Sequence, residues 1–187
     1  MGRLFNSKEE RFMASNAEKI ELGPAIVEYG DSSDKVIFET TIGGVVLTVE
    51  TTYRDQKTDQ GGETIVDKRI TGRNAKVTVP FAEYELGTIP KVMVGAEIVT
   101  GASGDKVLIK TGVGQSLLSK AKKVVIKPLA AKNDPSKWAT IPLAYPETDL
   151  QYSYDNDNER ITNVTLSATP DVDDVILVLG DETVTAT

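Results

Sequence analysis

Six residues in this chain space side-chain oxygens as a calcium loop does. They are Tyr154-Asp155-Asn156-Asp157-Asn158-Glu159. Counted from Asp155, the sixth position is Arg160 where a glycine makes the sharp turn. The twelfth is Leu166, which has no carboxylate to close the coordination sphere. A solvated turn is the better reading. The same holds for Asp171-Val172-Asp173-Asp174, a charged turn ahead of an apolar run. Gly112-Val113-Gly114 lacks the third glycine and the lysine-serine pair of phosphate-binding loops. Glu83 and Glu85 stand too close along the chain to flank a substrate as paired carboxylates do. The lysines at 120, 122, 123 and 127 lack the interleaved aromatics of a nucleic-acid platform and read as a solvated face or a subunit contact. Asn163-Val164-Thr165 matches a glycosylation acceptor, but no secretory signal accompanies it.

The chain has no histidine and no cysteine. A Ser-His-Asp triad, an imidazole base, a thiolate nucleophile, a disulfide and a His- or Cys-ligated zinc are therefore excluded. Carboxylate-only catalysis and hard-cation sites stay open. No enzymatic activity, cofactor or metal is expected. The first twenty residues lack an apolar signal core, and no run approaches the roughly 20 apolar residues of a membrane span. A cytoplasm-like site of synthesis, with no membrane partner, is the expectation.

The elements that would carry any site are strands. Val (20), Thr (20) and Ile (13) make up 53 of the 187 residues, and β-branched side chains favour a pleated surface. From 45 to 54 the chain alternates, with Val45, Leu47, Val49, Thr51 and Tyr53 on one face and Val46, Thr48, Glu50, Thr52 and Arg54 on the other. A polar loop, Asp55-Gln56-Lys57-Thr58-Asp59-Gln60-Gly61-Gly62, precedes a return run through Thr64, Val66 and Arg69. A further strand then carries Ala75, Val77 and Val79 and stops at Pro80. Further strands are predicted at 19–22, 25–29, 35–40, 92–99, 106–110, 123–129, 160–168 and 175–179. Another, at 138–144, reads as an edge or bent strand because of Pro142. A short helix is predicted at 80–86, limited by Gly87 and Pro90, with a helical turn at 115–122. Residues 1–18 form an N-terminal arm or short helix carrying Leu4, Phe5, Phe12 and Met13, and 19–187 form one domain. The fold class is mainly β, a β-sandwich or half-barrel with one short helix.

Charge is segregated within a net −7. Residues 105–138 hold eight lysines against Asp105 and Asp134, whereas 139–187 hold Arg160 alone against ten acids. A basic patch on one copy that meets an acidic patch on the next suits head-to-tail assembly. Lys120, Lys122, Lys123 and Lys127 are the expected patch, pairing between subunits rather than within one.

Several segments, taken in order, resemble the tail tube (major tail) proteins of long-tailed, siphovirus-type bacteriophages. They are Ala25-Ile26-Val27-Glu28-Tyr29-Gly30, Gly43-Gly44, Val49-Glu50, Asp59-Gln60-Gly61-Gly62, Gly72 and Val77-Thr78-Val79-Pro80-Phe81-Ala82-Glu83. The segment Gly112 to Ala144 sits where that family places its second sheet. Gly87 and Pro90 fall where members often run a longer helix. The resemblance implies a β-sandwich subunit forming hexameric rings that stack into a hollow virion tube. One sheet of each subunit would face a lumen that passes viral DNA without binding it tightly. Tape-measure, terminator and tip proteins are the further partners it implies. On this expectation the loop 55–62 bridges stacked rings, and Glu39, Thr48, Glu50, Thr52 and Asp67 line an acidic-to-neutral lumen. A virion decoration or carbohydrate-binding module is the alternative; it requires an exposed aromatic cluster, for which Trp138, Tyr145, Tyr152 and Tyr154 are available.

Overall fold

A segment that alternates apolar and polar residues buries one face only if a second layer covers it, and here the covering layer is the same sheet curling round. The computed structural model describes residues 23–187 except 32–33, 84, 153, 155–156, 158 and 186–187. The strands are β1 (Ala25–Tyr29), β2 (Val36–Phe38), β3 (Val46–Lys57), β4 (Ile65–Phe81), β5 (Ala96–Gly101), β6 (Gly104–Ile109), β7 (Lys122–Pro128), β8 (Ala139–Pro146), β9 (Thr162–Ala168) and β10 (Val178–Leu179). The principal sheet is antiparallel in the order β2-β1-β7-β8-β9-β4-β3, with β10 added on β8. Its two terminal strands, β2 and β3, are successive parts of one bent segment. Between them Thr41 bridges Phe81 of β4, and the bend falls at Gly43 and Gly44, whose φ values of 99° and 83° suit glycine. The fold is mainly β, of the sandwich or half-barrel class.

The core lies inside this curl. Val27 and Tyr29 of β1, Phe38 of β2, Val77 and Val79 of β4, Val124 of β7, Ile141 of β8, and Val164 and Leu166 of β9 are fully buried. The rings of Phe38 and Phe81 meet edge to face at 5.1 Å, joining the two ends of the sheet. The strand predicted at 160–168 is realised as β9, and it alternates: Thr162, Val164 and Leu166 point inward.

Three expectations are corrected. The return run and the strand after it are one 17-residue strand, β4, because the strand passes through Gly72 at a bulge and through Pro80 at the Gly43-Gly44 bend. Pro80 has no N–H to give the ladder, but its carbonyl still accepts from the Ile42 N–H. For the same reason the predicted helix at 80–86 is absent among the described residues of that span. Phe81 is drawn into the core, the Ala82 N–H donates to the Thr40 carbonyl, and the helix α1 occupies Ile89–Val92 with Pro90 in its first turn. The strand expected from Val92 starts only at Ala96. Of the edge or bent strand expected at 138–144, the bent alternative holds: β8 pairs with β7 and β9 and carries an irregularity at Pro142. Pro142 is tolerated because it lies opposite a register shift in β7, in the gap between the short pairings to β10 and β9. The expected arm at 1–18 and the strand at 19–22 lie outside the described residues.

Candidate assembly surface

β9 pairs with β4 only from Lys76 to Phe81, while β3 and β4 pair from Val46 out to Lys57 and Ile65. The distal part of the hairpin therefore leaves the body as a two-stranded ribbon. At about 3.4 Å per residue, a 12-residue strand such as β3 spans roughly 40 Å. Cross-strand register assigns its faces, since directly opposed residues point the same way. One face continues the core outward through Leu47, Val49, Thr51 and Tyr53 with Ala75, Arg73 and Ile70 opposite. The other is polar, through Thr48, Glu50, Thr52, Arg54 and Gln56 with Lys76, Asn74, Gly72, Arg69 and Asp67 opposite.

Of the expected lumen residues, Thr48, Glu50, Thr52 and Asp67 do share this polar face, whereas Glu39 follows β2, beside Thr40, Ala25 and Lys132. Arg54, Arg69 and Lys76 accompany the two acids, with Arg69 paired to Asp67 at 3.5 Å. Lys68 points to the opposite face and pairs with Asp55 at 3.5 Å.

The loop expected at 55–62 is also displaced. Asp55, Gln56 and Lys57 belong to β3, opposite Lys68, Asp67 and Ile65. On a ribbon solvated on both sides, strand residues need no apolar alternation, so polar residues extend the ladder unnoticed. Thr58, Asp59, Gln60, Gly61 and Gly62 stay in the connection, which runs from 58 to 64 as two successive turns. Lys57 and Glu63 form an ion pair across its base.

A second two-stranded unit, β5 with β6, stands apart from the principal sheet. Its register groups Ala96, Ile98, Val107 and Ile109 on one face. Sequence reasoning located these strands but gave them no role. The missed signal was two apolar residues in each strand at the same parity. Twelve of the nineteen large hydrophobic side chains exposed among the described residues lie on the two projections or on the segment following the second.

The four lysines of the expected subunit patch are mostly engaged within the chain. Lys122 pairs with Asp34, Lys123 with Glu182 of the acidic stretch itself, and Lys127 with Glu28 at 2.6 Å. Lys123 thus meets the acidic stretch within the chain. Its strand runs beside β8, onto which the chain's end folds through β10. Lys120 has no ion pair among the described residues; its carbonyl accepts the Tyr29 hydroxyl. Burial drives the Tyr29 hydroxyl pKa well above its ordinary value, so it remains a donor. Glu28 lies between Lys127 and Lys35, the latter at 2.7 Å. Burial alone would raise its pKa, but hydrogen bonds and charge from the two ammoniums outweigh that and hold it below its ordinary value.

The aromatic residues do not form an open platform. The Trp138 ring carries the Lys127 ammonium 4.4 Å from its centroid, and its indole N–H donates to Ala131. Tyr154 packs edge to face on Tyr152, with the Arg160 guanidinium 4.4 Å from the Tyr154 centroid. No group of three or more acidic, histidine or cysteine side chains is placed to hold a metal ion among the described residues. No helix among them is long and apolar enough to cross a membrane. Neither a protein-family model nor a curated protein sequence matches this chain.

Proposed function

We propose that this chain is a structural subunit of a phage tail tube, built as stacked hexameric rings around a DNA-conducting lumen. The observation that carries the reading is the long β3–β4 ribbon, which leaves a curled β body and exposes Val49, Tyr53 and Ile70 on one face. Such a ribbon is marginal alone and gains its stability from a neighbour. It falls on the segments, from Gly43 to Gly72, whose order resembles tail tube proteins. The polar ribbon face would then look to the lumen while the apolar face is covered. Tape-measure, terminator and tip proteins would be the partners at the tube's interior and ends, and the virion its location. Sedimentation of the purified protein over a concentration series tests the reading. Rings and longer assemblies growing with concentration support it; a monomer at every concentration overturns it.

A further inference from the structure

We infer that the outer face of the principal sheet, at the root of the ribbon, carries a saccharide-binding site. One neutral pyranose unit is held among polar side chains and a linked second unit lies against an apolar wall. The site belongs to a single chain; it goes beyond the assembly reading and does not depend on it.

Cross-strand register builds the site. Thr48 of β3, Lys76 of β4, Ser167 of β9 and Tyr145 of β8 form one row across four adjacent strands, and Glu50 opposite Asn74 begins the next. Their chain neighbours Val77, Leu166 and Ala144 are buried, so the row points away from the core. With Glu147, just past the end of β8, these side chains line a cleft of about 210 Å³. Glu147 is held from two sides: the Ser167 hydroxyl donates to it at 2.6 Å, and the Tyr145 hydroxyl donates to it as well. Burial first, then the Glu147 charge and hydrogen bond, raise the Tyr145 pKa, so that hydroxyl remains a donor. A second cleft, of about 370 Å³, shares Lys76 and Glu147 with the first. Met93, Val94, Leu117 and Pro146 give it an apolar wall. Thr148 lines it too, and its hydroxyl is buried with no hydrogen-bond partner among the described residues.

The mixture of groups selects the ligand. Neither Lys76 nor Glu50 has an ion pair among the described residues. An anion drawn to Lys76 meets Glu50 and Glu147, and a cation drawn to the two carboxylates meets Lys76. An amino acid would satisfy both signs but leave Thr48 and Asn74 unmatched. A pyranose carries several hydroxyls, each able to donate and accept. One ring therefore offers donors to the acceptor-only carboxylates, acceptors to the donor-only ammonium, and either to Thr48 and Asn74. The C–H edges of a second ring are apolar and suit the wall of the adjoining cleft. Size agrees. Pockets for drug-sized ligands run roughly 300–1,000 Å³, and the first cleft falls below that range while the second lies within it, as two small linked rings require.

NMR titration of the purified protein tests the site, with maltose, lactose, cellobiose and N,N′-diacetylchitobiose as probes and phosphate, arginine and leucine as charged comparators. At least one disaccharide is expected to bind in the millimolar range and to shift the backbone amides of 48–50, 74–76 and 145–149. Asn74→Ala and Glu147→Gln are each expected to weaken that binding at least tenfold while the thermal midpoint stays within a few degrees. Lys132→Ala, which alters a different cleft, is expected to leave it unchanged. If either variant unfolds, the amide map of the unaltered chain still decides. Absence of binding by all four disaccharides up to their solubility would overturn the inference, as would amide shifts confined to other parts of the chain. Phosphate, arginine or leucine bound at these amides with no disaccharide would make this a charged-ligand cleft and overturn it as well.

Discussion

At the scale of single residues, the clearest energetic statement concerns Glu28. Two lysines flank it, and its side chain and that of Lys127 are each only 16% exposed. Its pKa in the folded chain lies below the ordinary 4.5. A carboxylate with a depressed folded pKa contributes stability that is fully present above its unfolded pKa and is lost as pH falls through the folded value. Glu28→Gln is therefore expected to lower stability by about 1–2 kcal/mol near neutral pH, between the ranges for exposed and buried pairs. The difference from wild type should start to narrow as pH drops below 4.5 and keep narrowing toward acid; thermal melts across pH measure it, and a gap that does not narrow with acidification would contradict the assignment. In the core, Phe81→Ala is expected to cost about 3–5 kcal/mol, because it removes one partner of the aromatic pair that ties the two ends of the sheet together. Denaturant titration reads it, and a loss under 1 kcal/mol would show that Phe38 and Phe81 do not share one core. Neither role was legible in the sequence. Glu28 and Lys127 are 99 residues apart, and only the β1–β7 register brings them together.

At the scale of elements, the ribbon is where function and legibility part. Alternation marks a strand with one buried side, and β9, predicted as a strand, buries Thr162, Val164 and Leu166 in this way. The same rule found the inner half of β3 and failed from Asp55 onward, where neither side is buried and polar residues carry the ladder. Pro80 was read as a stop because local propensity discourages it in strands; the bend at Gly43-Gly44 accommodates it, as the bulge facing Thr52 accommodates Gly72. If the ribbon is an assembly arm, its end matters to neighbours and not to the fold. Replacing residues 58–64 with a two-residue Asn-Gly turn should keep the melting temperature within a few degrees while abolishing large assemblies. Sedimentation of that variant as normal-length assemblies would show that the turn makes no contact between rings.

At the scale of the whole molecule, the candidate surface is set by what the sheet leaves uncovered rather than by any chemical motif. Composition made thiol and imidazole chemistry impossible and strands abundant, and both were legible at once. The charge asymmetry was legible too, but its meaning was not. Lys122, Lys123 and Lys127 spend their charge on carboxylates of their own chain, so on the assembly reading exposed apolar surface rather than segregated charge would be the main bond between copies. Association should then weaken little with salt, since screening over about 8 Å near physiological ionic strength acts on exposed ion pairs and not on buried apolar area. The central claim is tested most directly by electron microscopy of the purified, concentrated protein, averaged end-on and side-on. The account predicts hollow tubes of stacked rings with six-fold end views and an open centre wide enough for a DNA duplex. Isolated particles of monomer size, or filaments without a lumen, would contradict it.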